Sequence, residues 1–366
     1  MVSEVKSDLV IPVSDGDARV VAQAHARFPD IKAFVAPAAA SVAIASDKIA
    51  TFDLAPELAI DTPPSVVVER GADVPDAIRR LGLPVVVKVP VSTASHGTYV
   101  VRTRGQAKQT AEQLPPGRIL VQAFVEGTFV GATGFADGGE LLEWFAFRVP
   151  PEISVAGTPA YAFSEDDPGL FAMLQAICRK LRWTGGIDLD ALRGVDGRLY
   201  LLEVNPRFSG TLVFADKLGV DLPRYYADLV GGTGYPKAAP RPPSGVLFVS
   251  LAQEAALISK DPRRMHKQAA AFRKAHHFVD SAYPDDRGLV AAQARGRSGK
   301  LFSGFRPDSR KTGFRSGPIR SLNDLTRIEA SLRNPQGPVL LDCKTNAAVA
   351  APHFSEYAER EARKRT

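Results

Sequence analysis

Apolar and polar positions along the first half of the chain follow two different periods. Short apolar runs predict three strands, at residues 8–13, 65–68 and 84–89. Apolar residues at helical spacing predict three helices, at residues 18–28, 46–58 and 74–81. Strands and helices that alternate in this way are typical of an α/β fold.

The middle of the chain is richer in strands. The runs ILVQAFV, TFVGATGFA and ELLEWFAFRV, with an Asp137-Gly138-Gly139 turn between the last two, predict antiparallel strands over residues 119–148. Helical spacing predicts a further helix at 170–181. The segment 236–244 contains four prolines, so it is predicted to be a linker at a domain boundary.

Composition narrows the class of protein. The chain has 366 residues, of which 45% are apolar and 23% charged, so it is long enough for two or three packed units. It contains no apolar stretch of about 18 residues and no signal-peptide pattern, so we expect a cytoplasmic protein. Its two cysteines, Cys178 and Cys343, are far apart and predict neither a disulfide framework nor a thiolate metal site.

The charge of the chain suits an anionic ligand without identifying it. The net charge is +6, which is compatible with a nucleotide or with nucleic acid. Basic residues cluster at 295–320 among phenylalanine, glycine and serine. We interpret this segment as a mobile basic loop, and a nucleic-acid patch is the alternative.

The segment 186–210 carries the most informative pattern, because two strand-like runs flank the pair Asp196-Gly197. Such a pair predicts a two-residue hairpin turn. Counting outward from that turn places Asp190 directly opposite Glu203. Opposed residues have Cβ atoms about 4.5–5.5 Å apart, so two carboxylates there repel each other unless a cation lies between them.

The neighbouring residues indicate which cation. Asn205 lies two residues after Glu203 and therefore projects from the same face of the strand. Carboxylate and amide oxygens suit Mg²⁺, and Arg207 is placed to bind a phosphate oxygen. The alternative is a solvated hairpin whose acids face water. If the acids repel each other in the metal-free protein, Glu203→Gln is expected to raise the melting temperature slightly.

The same segment also resembles a known family. EVNPRFSG, at residues 203–210, resembles the metal-binding signature of ATP-grasp enzymes, the carboxylate ligases and relatives of carbamoyl-phosphate synthetase. SDKIATFDLAPELAIDTPPS resembles the family's entry helix, and LGLPVVVKVPVSTASHGTYVV resembles its strand and phosphate lid. VQAFVEG resembles the hinge that receives adenine. The segments occur in family order over residues 40–235.

The resemblance implies ATP and Mg²⁺, or Mn²⁺, as cofactors, and it implies roles for individual residues. The implied metal ligands are Asp190, Glu203 and Asn205. The implied catalytic residues are Lys88, Arg148 and Arg207. The residues implied to bind ATP are Lys48, Lys88, Ser95, His96, Gly97, Gln122, Phe124, Val125 and Glu126. Adenine is expected to be read by backbone groups of Phe124 and Val125, and the lid is expected to span residues 92–98.

The family fold is an α/β (α+β) ATP-grasp architecture, in which two lobes hold ATP between antiparallel sheets. The implied domains are a shortened pre-ATP-grasp domain at 1–65, a lobe with the phosphate lid at 66–128 and a lobe with the metal site at 129–235. A linker at 236–245 and a C-terminal extension at 246–366 follow. Part of the extension, from Ile319 to Phe354, resembles the closing segment of thiamine-diphosphate enzymes without the motifs that bind that cofactor.

The function implied by the family is a ligase that activates a small-molecule carboxylate as an acyl phosphate for attack by an amine or similar nucleophile. The alternative is a non-catalytic ATP-binding module, because the hinge has Ala123 where the family usually has an acid, and the lid has one glycine. Nucleic acid and membranes are not expected as partners, and the sequence is compatible with a homodimer.

Overall fold

The computed structural model describes residues 9–92, 97–150, 161–236, 238 and 240–250, together with the backbone of three strands at 278–280, 315–319 and 339–343. These residues form helices and mainly antiparallel sheets, which confirms the predicted α/β class. Most of the basic segment 295–320 lies outside the described residues.

The first helix of the N-terminal segment begins three residues earlier than predicted, at Asp15 instead of residue 18. Val10 forms a single parallel bridge with Phe34, so the strand predicted at 8–13 is wrong over its described residues. Helix α1 (Asp15–Arg27) begins at Asp15 because the Ser14 hydroxyl accepts a hydrogen bond of 3.1 Å from the Asp17 amide. Two acids in the first turn favour this start, since they lie at the positive end of the helix dipole.

The helix predicted at 46–58 is interrupted at Asp47. This region contains helices α2 and α3 and a short 3₁₀ turn, Ala39–Ser46, Lys48–Leu54 and Ala55–Leu58. Asp47 has an extended backbone, and its carboxylate accepts hydrogen bonds from the Ile49 and Ala50 amides at 2.8 and 3.2 Å. This N-cap restarts the helix and places Lys48 at its first position.

A four-stranded antiparallel sheet forms the first lobe, in the order β1-β4-β2-β3. Its strands are Ser65–Val68, Val85–Lys88, Thr98–Val101 and Ile119–Ala123 for β1 to β4. Helices α4 (Val74–Leu81) and α5 (Arg104–Gln113) cover one face, where valines of all four strands are buried. The predicted β1 and α4 are confirmed.

A seven-stranded sheet forms the second lobe, in the order β11-β10-β7-β6-β5-β8-β9. Strands β5 to β11 are Gly127–Asp137, Glu140–Val149, Tyr161–Glu165, Gly185–Gly194, Leu199–Asn205, Leu247–Val249 and Phe278–Asp280. Helix α6 (Pro168–Leu181) packs on one face with α1 and α2, while α7 (Leu212–Lys217) and α8 (Leu222–Gly231) pack on the other. Because both faces are covered, most residues of the central strands β5 and β6 are buried, whichever face they lie on.

The linker predicted at 236–245 does not separate two domains. Strand β10 follows it directly and pairs with β7, so the chain beyond it remains part of the seven-stranded sheet. Within the segment, Arg241 forms an ion pair with Glu143, which is 1% exposed, and donates a 2.8 Å hydrogen bond to the Trp144 carbonyl. The prolines prevent helix formation, and the polar contacts fix the segment against the sheet.

This contact predicts a stability effect. Arg241→Ala removes the guanidinium beside a carboxylate that is almost fully buried, so we expect a loss of about 3 kcal/mol in the free energy of unfolding. The matched control is Arg224→Ala, which removes an exposed pair with Asp228 and should cost less than about 1 kcal/mol. Urea denaturation measures both, and equal losses would contradict the buried-pair argument.

The C-terminal extension contributes strands β12 (Arg315–Ile319) and β13 (Val339–Cys343), which form a parallel pair. Most of the remaining extension lies outside the described residues, so its resemblance to thiamine-diphosphate enzymes stays a prediction. Among the helices of the described residues, none combines the length and apolar character needed to cross a bilayer.

Candidate functional site

The β8–β9 hairpin brings the predicted carboxylates together, but its turn and its strand pairing differ from the prediction. Asp190 lies directly opposite Glu203, which confirms the predicted register at this pair. The turn, however, has three residues, because Gly194 both donates to the Arg198 carbonyl and accepts from Gly197, each at 2.9 Å. A bulge beyond Asp190 then corrects the register by one residue. Gly197, with φ 81°, supplies the left-handed residue that this loop needs.

Asp188 is a site residue that sequence reasoning missed. It pairs with Asn205 in the same ladder, is 1% exposed, and accepts a 3.1 Å hydrogen bond from the Asn205 amide at Oδ2. Among the described residues its Oδ1 has no hydrogen bond of good geometry. Asp188 lies two residues before Asp190, so strand alternation alone places both acids on one face and could have identified it.

Burial dominates the electrostatics of these two acids. Burial raises the pKa of Asp188 to about 7, although the Ser209 hydroxyl, Arg207 and Asn205 oppose the rise. The pKa of Asp190 is raised well above its usual range by burial and then by the negative charges of Asp188 and Glu203. The pair therefore favours an added cation, since a positive charge would offset both effects.

Two lysines from the first lobe and its entry helix point at the same strand. Lys48 Nζ lies 3.0 Å from Glu203 Oε2, and Lys88 Nζ donates to the Leu202 carbonyl at 3.3 Å. Burial would raise the pKa of Glu203, but the two lysine charges outweigh it and the pKa is lowered. Burial lowers the pKa of Lys88 to about 8, and Lys48 adds to the decrease while Glu203 and Asp190 oppose it.

Arg207 lies beside the carboxylates but already has a partner. Its Nε is 2.8 Å from Asp15 Oδ1 at the start of α1, in an ion pair without good hydrogen-bond geometry. Its other nitrogens donate to the Phe208 carbonyl at 3.1 Å and to Asn205 Oδ1 at 3.5 Å. Asp15 was also missed from the sequence, because its contact with Arg207 joins segments far apart in the chain.

The donor set fits a hard divalent cation. Asp190 and Glu203 face each other, Asn205 adds an amide oxygen, and Asp188 Oδ1 is a buried carboxylate oxygen without a well-formed hydrogen bond. An all-oxygen set of this kind suits Mg²⁺ or Mn²⁺. The described part of the chain holds no ready-made cluster of three acids, histidines or cysteines around one point. A cation here would therefore complete its shell with phosphate oxygens and water.

The predicted lid is described only at its two ends. Ser92 accepts hydrogen bonds from Lys48 Nζ at both its carbonyl and its hydroxyl, each at 3.2 Å. Gly97 has φ 72°, and a Cβ there would lie 2.9 Å from the Val89 side chain, so this position needs glycine. The predicted ligands Ser95 and His96 lie outside the described residues.

The hinge differs in part from the prediction. The Phe124 amide donates to the Pro84 carbonyl at 3.1 Å, so this N–H group already has a partner, and adenine recognition by backbone groups of Phe124 and Val125 stays a prediction. The Gln122 side chain is buried and donates to Ser65 Oγ at 3.0 Å, so it fixes β4 to β1. The Glu126 side chain is exposed, whereas its carbonyl accepts a 3.2 Å bond from Val195 of the hairpin.

Arg148 does not join the site. Asp190 pairs with Gly131, and Gly131 pairs with Phe147, so Phe147 shares the face of the carboxylates. Arg148 is the next residue and projects from the opposite face. There it lies 3.7 Å from Glu165 and over the Phe163 ring, so the predicted catalytic role lacks support from geometry.

Comparison with known proteins agrees with this description. A family model described as ATP-grasp in the biosynthetic pathway with Ter operon matches residues 158–254, which include the whole hairpin. The arginine-specific large chain of carbamoyl phosphate synthase from Geobacillus stearothermophilus is 24% identical over 198 residues. That alignment covers 51% of this chain and 19% of the relative, so this chain spans about a fifth of the curated relative it matches.

Three solved structures are similar to parts of this chain. N5-carboxyaminoimidazole synthetase from Staphylococcus aureus is 13% identical with a TM-score of 0.48, covering 62% of this chain and 61% of its own. Biotin carboxylase from Campylobacter jejuni is 14% identical with a TM-score of 0.47, covering 55% and 49%. D-alanine–D-alanine ligase from Bacillus anthracis is 19% identical with a TM-score of 0.43, covering 54% and 70%. These likenesses assign no residue a role in this chain.

The two antiparallel sheets and the carboxylate hairpin define the class of an ATP-grasp protein. The family-model match and the aligned relative support the ATP-grasp superfamily as the class of this protein.

Proposed function

We propose that this protein is an ATP- and Mg²⁺-dependent ligase that activates a carboxylate as an acyl phosphate for attack by an amine or similar nucleophile. The observation that carries the proposal is the Asp190–Glu203 pair, which faces Lys48 and Lys88 where the two sheets meet. The named relatives include synthetases and a ligase, which supports this reaction class.

Each group of residues has a separate task in this proposal. Lys48 and Lys88 bind phosphate oxygens and offset the charge of the triphosphate. Asp190, Glu203 and Asn205 hold the metal, and Asp188 adds negative charge beside them. When bound, Mg²⁺ neutralises charge on the transferred phosphoryl group. Arg207 is held between Asp15 and Asn205, close enough to the carboxylates to orient a phosphate or substrate oxygen.

In this proposal the hinge binds the adenosine end of ATP. The Ala123 and Phe124 amides already donate to the Pro64 and Pro84 carbonyls, so in this proposal adenine recognition falls to the remaining backbone groups of Phe124 and Val125. In this proposal the exposed Glu126 side chain accepts hydrogen bonds from ribose hydroxyls. This arrangement leaves the base recognised mainly through backbone geometry.

In this proposal the reaction has two steps. A carboxylate oxygen of the substrate attacks the γ-phosphorus, the bond to the bridging oxygen breaks, and ADP leaves. The amine nitrogen then attacks the carbonyl carbon of the acyl phosphate, phosphate leaves, and the nitrogen loses a proton. Lys88 and Arg207 remain positively charged and bind the phosphoryl oxygens during both steps, since phosphoryl transfer depends mainly on positioning and charge neutralisation.

Phosphate release tests the proposal. We expect the protein to release phosphate from ATP only with Mg²⁺ and only when a suitable carboxylate and amine are both present, in a screen of amino acids and small acids. Calorimetry should show ATP binding that is much weaker without Mg²⁺, because three cations offset only part of the triphosphate charge. Metal-dependent ATP binding without turnover in any combination would favour the non-catalytic module instead.

A further inference from the structure

Lys48 makes an unusual set of contacts for a predicted phosphate ligand. Its Nζ lies 3.0 Å from Glu203 Oε2 in one lobe and 3.2 Å from both Ser92 oxygens at the start of the lid. Its side chain is 8% exposed, whereas that of Glu203 is 28% exposed. The ammonium group therefore joins Ser92, the first residue of the predicted lid, to Glu203, a predicted metal ligand.

The position of this ammonium group matters because of its charge. Glu203 lies opposite Asp190, and Asp188 is on the same face, so this region carries three acids. The positive charge on Lys48 partly offsets them, and at 3.0 Å its ammonium group is within hydrogen-bond distance of Glu203. A divalent cation that approaches Glu203 must therefore displace or repel Lys48.

The backbone holds Lys48 in this place. Asp47 caps α3, so Lys48 occupies the first position of the helix. The Lys48 amide also donates to the Pro90 carbonyl at 2.9 Å, which fixes the start of α3 against the segment that leads into the lid. Lys48 can therefore exchange side-chain partners without moving its backbone.

We propose that Lys48 acts as an internal cation that occupies the metal position beside Glu203 and makes metal binding dependent on nucleotide. In this proposal the triphosphate attracts the Lys48 ammonium group away from Glu203. The freed Glu203 carboxylate then binds the metal together with Asp190 and Asn205. The inference rests on the proposed function in one respect only, that the hairpin holds a metal with ATP.

Metal binding without nucleotide tests the proposal directly. Lys48→Gln removes the internal cation, so we expect the nucleotide-free variant to bind Mn²⁺ at least about tenfold more tightly than the wild type. The same variant should bind ATP with Mg²⁺ more weakly, because it lacks a phosphate partner. Lys108→Gln, which makes the same charge change at an exposed position of α5, should alter neither affinity. Unchanged or weaker Mn²⁺ binding by Lys48→Gln would overturn the proposal.

A second measurement keeps Lys48 in place. Amine labelling of the full-length protein, followed by mass spectrometry, compares Lys48 with Lys108 as an internal reference. We expect Lys48 to be labelled several-fold faster in Glu203→Gln than in the wild type, because its charged partner is gone. Equal labelling ratios in the two proteins would also overturn the proposal.

These outcomes separate the inference from the proposed function. A protein that never releases phosphate refutes the ligase proposal but leaves the Mn²⁺ comparison valid. Unchanged Mn²⁺ affinity in Lys48→Gln refutes the internal cation even where phosphate release is observed.

Discussion

Replacing Glu203 with glutamine should weaken Mg²⁺-dependent ATP binding by at least about 100-fold. Glu203 is a direct metal ligand in the proposed site, and changes outside the ligand shell alone cost about 10–100-fold in metal affinity. Glutamine keeps the shape of the side chain, so the fold should persist. Isothermal titration calorimetry with ATP, in the presence and absence of Mg²⁺, measures the effect.

The same substitution should also lower the melting temperature of the metal-free protein by a few degrees. The repulsion argument from the sequence expected a small increase. In the structure Lys48 lies 3.0 Å from Glu203, and together with Lys88 it lowers the pKa of Glu203. A lowered pKa means that the folded protein stabilises the charged carboxylate, so a neutral side chain loses that stabilisation.

Glu112→Gln is the matched control, because Glu112 is exposed on α5, far in sequence from the hairpin. It should change neither ATP affinity nor melting temperature. If Glu203→Gln lost much stability but bound Mg²⁺ and ATP normally, Glu203 would be a structural residue. The proposed metal site would then be wrong.

Replacing Lys88 with methionine should make the metal-free protein more stable while weakening ATP binding. Lys88 is 6% exposed, and burial lowers its pKa from 10.5 to about 8. At neutral pH the folded protein therefore carries the full cost of a buried charge, which is at most about 3 kcal/mol for a shift of this size. Methionine fills similar space without the charge, so unfolding should require more denaturant at pH 7.

The pH dependence gives a second readout with a defined sign. Between about pH 8 and pH 10.5 the unfolded chain binds more protons at Lys88 than the folded protein does. Stability from this group therefore rises with pH across that window and is lowest below it. Lys88→Met should remove this rise, as measured by urea denaturation at several pH values.

Lys108→Met controls for the loss of one exposed lysine and should leave the pH profile unchanged. A decrease in stability at pH 7 for Lys88→Met, with a wild-type pH profile, would show that Lys88 mainly supports the fold. An unchanged affinity for Mg²⁺-ATP would show that it is not a phosphate ligand.

The β8–β9 hairpin shows which site residues can be predicted from sequence patterns. Residues that are close in the chain and alternate on one strand can be assigned to a face by counting, which is why Asp190 and Glu203 were found. The same count also applied to Asp188, which was missed because its partner Asn205 was considered only as a neighbour of Glu203. The turn was predicted one residue too short, and only the bulge preserved the result.

The α/β class and the opposed carboxylates could be derived from the sequence alone, because each depends on local periodicity or on spacing within one hairpin. The order of the ATP-grasp-like segments came from the resemblance to that family. The partners of the charged groups became known from the folded structure. Lys48 meets Glu203, Arg207 meets Asp15, and Arg148 turns to the other face. These contacts join distant segments, and ion-pair partners depend on distances that chain spacing does not fix. For the same reason, the expected effect of Glu203→Gln on the melting temperature changed from an increase to a decrease.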